Sequence, residues 1–362
     1  GTVLFNFEAE AHVFHLRNLP LVHRLKSRGI SLDSETYLAR GLNTVGDAAL
    51  SWLPLIDRGT PTVVARYEEA RAFGQFRHRP GDSHAHIVFI APALTNNHSA
   101  ALEGAWLYLL DALAQVAARR GAHAIHAEVA EDSAVFEALR QTGYAPYARQ
   151  DIWRRAPAPP PGPGPATTPR GAGGRDMAAI RYLHACAVPR LARQADPSPS
   201  PEGLVFYREG RAYGYLAVSE GNRGLYLKPY LEPQARELAG AVLSAALAAL
   251  PRSARMPVYC CVRQYQGWLG RALEDLGFQP WARQTVMVKH TTARVEHPAF
   301  APLPSLHGGI PISGGPTAGC QLVERDAPVE RHQPAGAITS SGGCDDPIVL
   351  DWRAARHPQP VA

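Results

Sequence analysis

Apolar residues are spaced along this chain in two ways, one typical of helices and one typical of strands. A stripe with helical spacing predicts a long helix from about residue 99 to 120. Its members are Leu102, Trp106, Leu109, Leu110, Leu113 and Val116. Short β-branched or alternating runs on either side predict strands, and Pro80-Gly81-Asp82 predicts a turn. The predicted order is helices, hairpin strands, a central strand, the long helix, a strand, a short helix and a closing strand.

This order of elements occurs twice. Residues 137–150 read EALRQTGYAPYARQ and residues 271–284 read RALEDLGFQPWARQ, which places them 134 positions apart (271 − 137). The same offset relates Leu109 to Leu243, which lies in a second predicted long helix. A period of this length is the size of a domain rather than of a solenoid repeat. The sequence therefore predicts two copies of one fold.

Composition marks the boundaries of the two copies. Residues 156–174 read APAPPPGPGPATTPRGAGG, which is typical of an extended, mobile linker. The sequence from residue 291 onward is rich in Gly, Pro, Ser and His and has no clear hydrophobic period, so most of it is expected to be disordered. The predicted organisation is an N-terminal domain at 1–155, a Pro/Gly linker at 156–175, a C-terminal domain at 176–290 and a mostly disordered tail at 291–362.

Charge and cysteine content narrow the class of protein. The net charge is +5, and no run of like charges concentrates it, so nucleic acid is not an indicated partner. No apolar run approaches the ~18 residues of a membrane span, so a membrane is not indicated either. The five cysteines are odd in number and include the adjacent pair Cys260-Cys261, which favours a reducing, cytoplasmic compartment without disulfides. No CxxC or HExxH motif indicates a metal.

The repeated unit resembles the GNAT superfamily of acyl-CoA N-acyltransferases. ALEDLGF at 272–278 is similar to the family's YEKLGF segment, and PYLEPQARELAGAVLSAAL at 229–247 is similar to its crossing from central strand to long helix. The resemblance covers residues 60–155 and 176–290. It implies a mixed α/β sheet in two tandem GNAT-like domains joined by a Pro/Gly linker. It also implies acyl transfer from acetyl-CoA, or a related thioester, to the amine of a small molecule or peptide.

In such a fold the long helix begins beside the acyl carrier. The first N–H groups of a helix lack internal partners and carry partial positive charge, so they suit the pyrophosphate of CoA. In the register of the repeat, the family's Arg/Gln-x-x-Gly-x-Gly/Ala motif falls on Ala101–Trp106 in the first copy and on Ala235–Gly240 in the second. A shift of one residue in the second copy gives the weakened match Arg236-x-x-Ala239-x-Ala241. An ordinary helix cap is the alternative in both copies. The candidate carrier-binding residues are Leu227, Lys228, Arg236, Ala239, Gly240 and Ala241.

The tyrosine that protonates the leaving thiolate in the family is absent from both copies. Leu139 and Leu273 occupy its position, and neither can transfer a proton. Other residues must then supply acid and base chemistry, and an imidazole or a carboxylate that steers a water could deprotonate the amine. A solvated or internally satisfied polar face is the alternative for each. The catalytic candidates are Glu220, Tyr226, His86 and Glu128.

The same substitutions support a second hypothesis from another class. Both copies could have lost catalysis and serve as a binding or scaffold protein, which Leu139, Leu273 and the bulky Trp106 favour. The fold does not decide between the two hypotheses, because one fold can carry many functions. The sequence contains no signal for the acceptor or for the oligomeric state.

Overall fold

The computed structural model describes residues 9–51, 60–160 and 168–291. Except for Thr291, the predicted tail at 291–362 lies outside the described residues, as does part of the predicted linker.

The strands of the described residues form one mixed sheet. They are β1 (Glu10–Val13), β2 (Ile30–Ser31), β3 (Thr62–Tyr67), β4 (Ala70–Arg77), β5 (His84–Ala91), β6 (Ala124–Val129), β7 (Ala145–Arg155), β8 (Arg170–Gly171), β9 (Gly203–Arg208), β10 (Arg211–Glu220), β11 (Leu225–Leu231), β12 (Val258–Arg263) and β13 (Gln279–His290). Their order is β1-β3-β4-β5-β6-β13-β7-β12-β11-β10-β9-β8, and β2 pairs with β5. The strand β8 lies inside the predicted linker and extends the sheet beside β9.

Helices cover both faces of this sheet. They are α1 (Leu19–Leu25), α2 (Thr44–Ser51), α3 (Ala100–Arg119), α4 (Ala134–Gln141), α5 (Met177–Ala187), α6 (Arg190–Arg193), α7 (Ala239–Ala249) and α8 (Gly270–Asp275). The apolar stripe of α3 faces the sheet as predicted, with Trp106, Leu109 and Leu113 fully buried. Each such side chain stabilises the fold by roughly 1.5–3 kcal/mol relative to exposure.

Two predicted helices differ in detail from the observed ones. The helix predicted at Pro233–Leu250 begins as a 3₁₀ helix at Pro233–Leu238 and becomes α-helical only at Ala239. The helix predicted at Met177–Gln194 is divided between α5 and α6, because the residue before Pro189 is disfavoured in helical conformation.

The two halves repeat the same order of elements, and the predicted mixed α/β fold is confirmed. The hairpin β3–β4 corresponds to β9–β10, and β5, α3, β6, α4 and β7 correspond to β11, α7, β12, α8 and β13. Even the hairpin turns agree, since Glu68 and Glu209 both have a φ of 52°, which is uncommon outside glycine.

The halves exchange their closing strands. The first half's β7 lies between β12 and β13 of the second half, and β13 lies between β6 and β7. Each half therefore completes the sheet of the other, an arrangement that the head-to-tail repeat in the sequence does not reveal.

Within the described ranges, no helix combines the length and apolar content required to cross a bilayer.

Candidate active site between the halves

A local twofold relation centres on β7 and β13. Gln150 is paired with Gln284 in the antiparallel ladder, and its Nε2 donates a hydrogen bond to Gln284 Oε1 at 3.0 Å. Both glutamines are buried. The repeated arginines lie beside them on the surface, Arg149 on Glu131 and Arg283 on Asp151. The repeated Ala-Arg-Gln therefore forms the junction between the halves.

The central strands of both halves leave their neighbours part-way along. The parallel ladder between β5 and β6 ends at His86 opposite His126. The ladder between β11 and β12 ends at Leu227 opposite Cys260. We call the gap beyond the first ladder the first cleft and the gap beyond the second ladder the second cleft. These are the places where the resemblance implies an acyl carrier.

Strand pairing fixes which residues of the two halves correspond. Val286 of β13 is paired with Glu128, and Ile152 of β7 is paired with Cys261. Val286 and Ile152 are equivalent positions of the repeat, since they are 134 apart (286 − 152). Their ladder partners are therefore equivalent as well, so Glu128 corresponds to Cys261, which lies 133 positions later (261 − 128). By the same offset His126 corresponds to Tyr259, and their ladder partners, His86 and Tyr226, correspond to each other.

A cavity of about 610 Å³ lies where the two halves meet. Along β11, Tyr226 and Lys228 line this cavity, whereas Leu227 packs into the core beneath α7. His86 and Glu128 contribute from the first half, so four of the sequence candidates lie around one space. Two equivalent positions, His86 and Tyr226, thus contribute to the same cavity.

One half-buried ion pair joins the halves beside the cavity. Glu35 accepts hydrogen bonds from Lys228 Nζ at 2.8 Å and from Ser219 Oγ at 2.6 Å. Arg77 lies 4.0 Å from Glu35 and 3.1 Å from Asp33. Burial alone would raise the pKa of Glu35, but Lys228 and Arg77 outweigh it and lower that pKa. Glu35 is therefore ionised, and its charge in turn raises the pKa of Lys228 against the effect of burial.

A second buried network surrounds Asp196. Its carboxylate accepts from Arg263 at 3.1 Å, from the Tyr147 hydroxyl at 3.1 Å and from His184 Nε2 at 3.1 Å. Burial would raise the pKa of Asp196, but Arg263 and His184 outweigh it and lower that pKa to about 2. Asp196 is therefore ionised at the edge of the cavity, and the charge of Arg263 balances it.

Three imidazoles cluster on the first half's side. Nδ1 of His84 lies 2.9 Å from Nε2 of His126, and the ring of His86 stacks on His126 with centroids 5.0 Å apart. Burial lowers the pKa of His86 well below its usual value, and the charges of Arg77 and Lys228 lower it further. His86 is therefore a neutral imidazole near pH 7. In the described ranges, no group of three or more His, Cys, Asp or Glu side chains is arranged to hold a metal ion.

Tyr226 contributes its ring to the cavity but not its hydroxyl. The hydroxyl is buried and has no well-formed hydrogen bond to the described residues. The Cys261 thiol lies beside it. Burial raises the pKa of Tyr226 well above its usual value, and Cys261 adds to that rise. The side chain keeps its proton, and transfer to a ligand would require it to move.

The remaining candidates lie elsewhere. Glu220 is at the end of β10, half-exposed, 3.8 Å from Arg252, and it does not line the cavity. Arg236 stacks on Trp268 in the 3₁₀ segment, with its guanidinium carbon 5.3 Å from the ring centroid. Ala239, Gly240 and Ala241 form the first turn of α7.

Sequence reasoning missed Glu35 and Asp196. Glu35 belongs to a cluster that resembles a helix cap, and Asp196 precedes the Pro-rich run Pro197–Pro201. Neither lies in the repeated segments. Only the folded chain brings them to the cavity, so no sequence pattern indicated either residue.

No protein-family model matches the chain, and no curated protein matches it. Among solved structures, the chain is similar to a GCN5-related N-acetyltransferase from Sphaerobacter thermophilus, with 16% identity, a TM-score of 0.49, and coverage of 79% of this chain and 96% of that one. It is also similar to a tandem GNAT protein from the clavulanic acid biosynthesis pathway, solved without AcCoA, with 14% identity, a TM-score of 0.46, and coverage of 79% and 99%. The likeness is one of fold. The chemistry of the cavity depends on its own residues.

Proposed function

We propose that the protein is an N-acyltransferase that moves an acetyl or other acyl group from acyl-CoA to an amine in the cavity between its halves. The observation that carries the proposal is the meeting of a neutral imidazole and a half-buried ammonium in one cavity, beside the point where the central strand β11 leaves its neighbour. The imidazole is that of His86, at the end of the ladder between β5 and β6, and the ammonium is that of Lys228, just beyond the end of the ladder between β11 and β12. The acceptor is a small molecule or peptide that presents an uncharged amine after deprotonation.

The second half is the proposed carrier site. Lys228 is the first residue of β11 beyond its ladder with β12. Arg236 and the first turn of α7 supply a cation and small residues for the pyrophosphate. A Cβ added at Gly240 would meet no atom within 4 Å, so this turn has open space beside it.

In the proposed reaction the amine nitrogen attacks the thioester carbonyl directly. His86 accepts the amine's proton as the carbon–nitrogen bond forms. The charged Lys228 stabilises the negative charge that develops on the carbonyl oxygen, and Glu35 keeps that ammonium in place. The carbon–sulfur bond then breaks. The thiolate takes a proton from water, and that water regains a proton from His86, because Leu139 and Leu273 are fully buried and apolar.

Binding of CoA tests the carrier site directly. At a free CoA concentration ~100 times Kd, binding stabilises the folded protein by about 2.7 kcal/mol. We expect this stabilisation in chemical denaturation of the wild type and its loss in Gly240→Trp. The control Gly171→Trp, on the edge strand β8, also has open space at its Cβ and should keep it. Equal stabilisation of both variants by CoA would contradict the proposed pyrophosphate site.

One observation favours the scaffold hypothesis as a second candidate. Gln266 bridges the second cleft, since its Nε2 donates to Pro229 O at 2.8 Å and its Oε1 accepts from Arg263 N at 3.3 Å. A carrier has to displace this side chain. Thiol release from acetyl-CoA with a panel of amines separates the two hypotheses, because a scaffold releases none above the uncatalysed rate.

A further inference from the structure

The first cleft is filled by the protein's own main chain. Beyond the ladder with β6, the strand β5 pairs instead with β2, Ile30 opposite Ile90 and Ser31 opposite Phe89. The next residue continues this contact, with Leu32 N donating to Val88 O at 3.1 Å. The open edge of β5 is therefore occupied.

The same segment also occupies the open edge of β6. Glu128 N donates to Leu32 O at 2.8 Å, and Ser34 N donates to the Glu128 carboxylate at 2.9 Å. Leu32 is fully buried between the strands. The extended amide arm of an acyl carrier would need the same backbone donors and acceptors of β5 and β6. The segment around Leu32 already occupies them.

Local packing holds the segment in place. A Cβ on Gly29 would lie 2.2 Å from the Phe89 ring and 2.5 Å from Ile90 O, so only glycine allows the chain to approach β5 this closely. Nearby, Trp106 is fully buried, and its Nε1 donates to Pro92 O at 2.9 Å. Ser99 caps α3 by accepting from Leu102 N, as in an ordinary helix start. The first cleft is thus closed, and the adjacent helix begins with an ordinary cap.

The second cleft is closed only by a side chain. Gln266 spans it through two hydrogen bonds, and rotation of that one side chain opens the strand edge without unpairing any strand. Opening the first cleft instead requires the loss of β2 and of the two main-chain bonds at Leu32. The first cleft is therefore closed by strand pairing and the second by one side chain, although the strands of the two clefts correspond.

We propose that each chain binds one acyl carrier, in the second cleft, and that residues 28–34 are the permanent occupant of the first. The proposal rests on the proposed function. The segment leads directly into Glu35, whose carboxylate holds Lys228 and Ser219 across the junction. The segment that occupies the carrier site of the first half thus also places the negative charge of Glu35 beside the site of the second half.

Counting bound CoA by native mass spectrometry, with hydrogen exchange in parallel, tests whether only the second cleft binds a carrier. We expect one CoA per wild-type chain, one for the control Gly171→Trp and none for Gly240→Trp. CoA should slow amide exchange around residues 228–241 and 262–267, while the amides of Leu32 and Glu128 stay protected to the same degree with and without it.

Two CoA molecules per chain, or a CoA-dependent change in exchange at residues 28–34, would overturn the proposal that only the second cleft binds a carrier, while leaving the proposed function intact. A single CoA that persists in Gly240→Trp and protects β5 would overturn that proposal as well. No binding to the wild type at millimolar CoA would instead contradict the proposed function, and with it the proposal of a single carrier site.

Discussion

At the scale of single residues, the site is built from paired charges that are buried or half-buried. Glu35 lies against Lys228 and Asp196 against Arg263, and each pair spans segments far apart in the chain. A buried charge is costly unless its partner and further hydrogen bonds compensate it. Ser219 supplies the additional bond for Glu35. The geometry of these pairs is therefore part of the fold's stability as well as of its chemistry.

Replacement of Asp196 by Asn should destabilise the protein by about 3–5 kcal/mol at neutral pH, because Arg263 loses its buried partner. The folded-state pKa of Asp196, about 2, lies below the ordinary value of about 3.9. The stabilisation from ionised Asp196 is thus complete above the unfolded value and is lost as pH falls through about 2. Urea denaturation from pH 6 to pH 2 should show the difference between wild type and D196N shrinking by about 2 kcal/mol.

The exposed Asp82 provides the control for this measurement. Asp82→Asn should follow the wild type across the whole pH range. A difference between wild type and D196N that stays constant with pH would contradict the assignment of the charge to Asp196.

Replacement of His86 by Gln tests the proposed base. The turnover rate with a good amine acceptor should fall by about 10²–10⁴. Because burial and the charges of Arg77 and Lys228 lower the pKa of His86, wild-type activity should persist below pH 6.5 and fall only as the imidazole becomes protonated. H86Q should lack this acidic limb. His98→Gln, in the loop before α3, should keep the wild-type profile, and an unchanged limb in H86Q would assign the base elsewhere.

At the scale of elements, the junction depends on two glutamines that hydrogen-bond each other. Gln284 Oε1 accepts from Gln150 Nε2 and from Ser34 Oγ, and Gln150 Oε1 accepts from the Cys261 thiol. The strands β7 and β13 are thus joined by side chains as well as by their ladder.

A double-mutant cycle measures this coupling. Gln284→Leu leaves two buried donors unpaired, at about 1–3 kcal/mol each. The double variant with Gln150→Leu should cost about 0.5–3 kcal/mol less than the sum of the single variants. The surface arginines Arg149 and Arg283 serve as the control pair, whose alanine variants should be additive. Additive effects at the glutamines would mean that the two halves of the junction act independently.

The pattern of the sequence predicted some elements much better than others. The stripe from Leu102 to Val116 is long and unbroken, so the predicted helix at 99–120 agrees with α3. The helix type predicted for the start of the second long helix was wrong, because residues 233–238 form a 3₁₀ helix that begins with Pro233. The strand contacts of Leu32 were not predicted, since its partners lie far away in sequence.

At the scale of the whole molecule, the exchange of β7 and β13 makes the halves inseparable. The closing segments EALRQTGYAPYARQ and RALEDLGFQPWARQ are so similar that their pattern suits either neighbouring sheet. A hydrophobic pattern specifies which face of a strand is buried, but not which copy of a repeat receives it. The two tandem units were therefore predictable, and their interleaving was not. The cavity depends on that interleaving, so its composition was only partly predictable.

A protease site introduced within residues 161–167 tests the interleaving. After cleavage, the two fragments should still elute together in size-exclusion chromatography and should separate only in denaturant, because β7 is held between β12 and β13. The fragment 168–291 expressed alone should be insoluble, since β13 lacks both of its neighbours. Separation of the cleaved fragments in native buffer would contradict the exchange.

The same exchange has a consequence for biosynthesis. When the ribosome has finished β7 at Arg155, the chain still lacks 135 residues to the end of β13 at His290 (290 − 155). At ordinary translation rates this takes roughly 7–27 s. Throughout that interval β6 presents an unpaired edge, which is a template for aggregation. The first half is therefore most prone to aggregation before the second half has been synthesised.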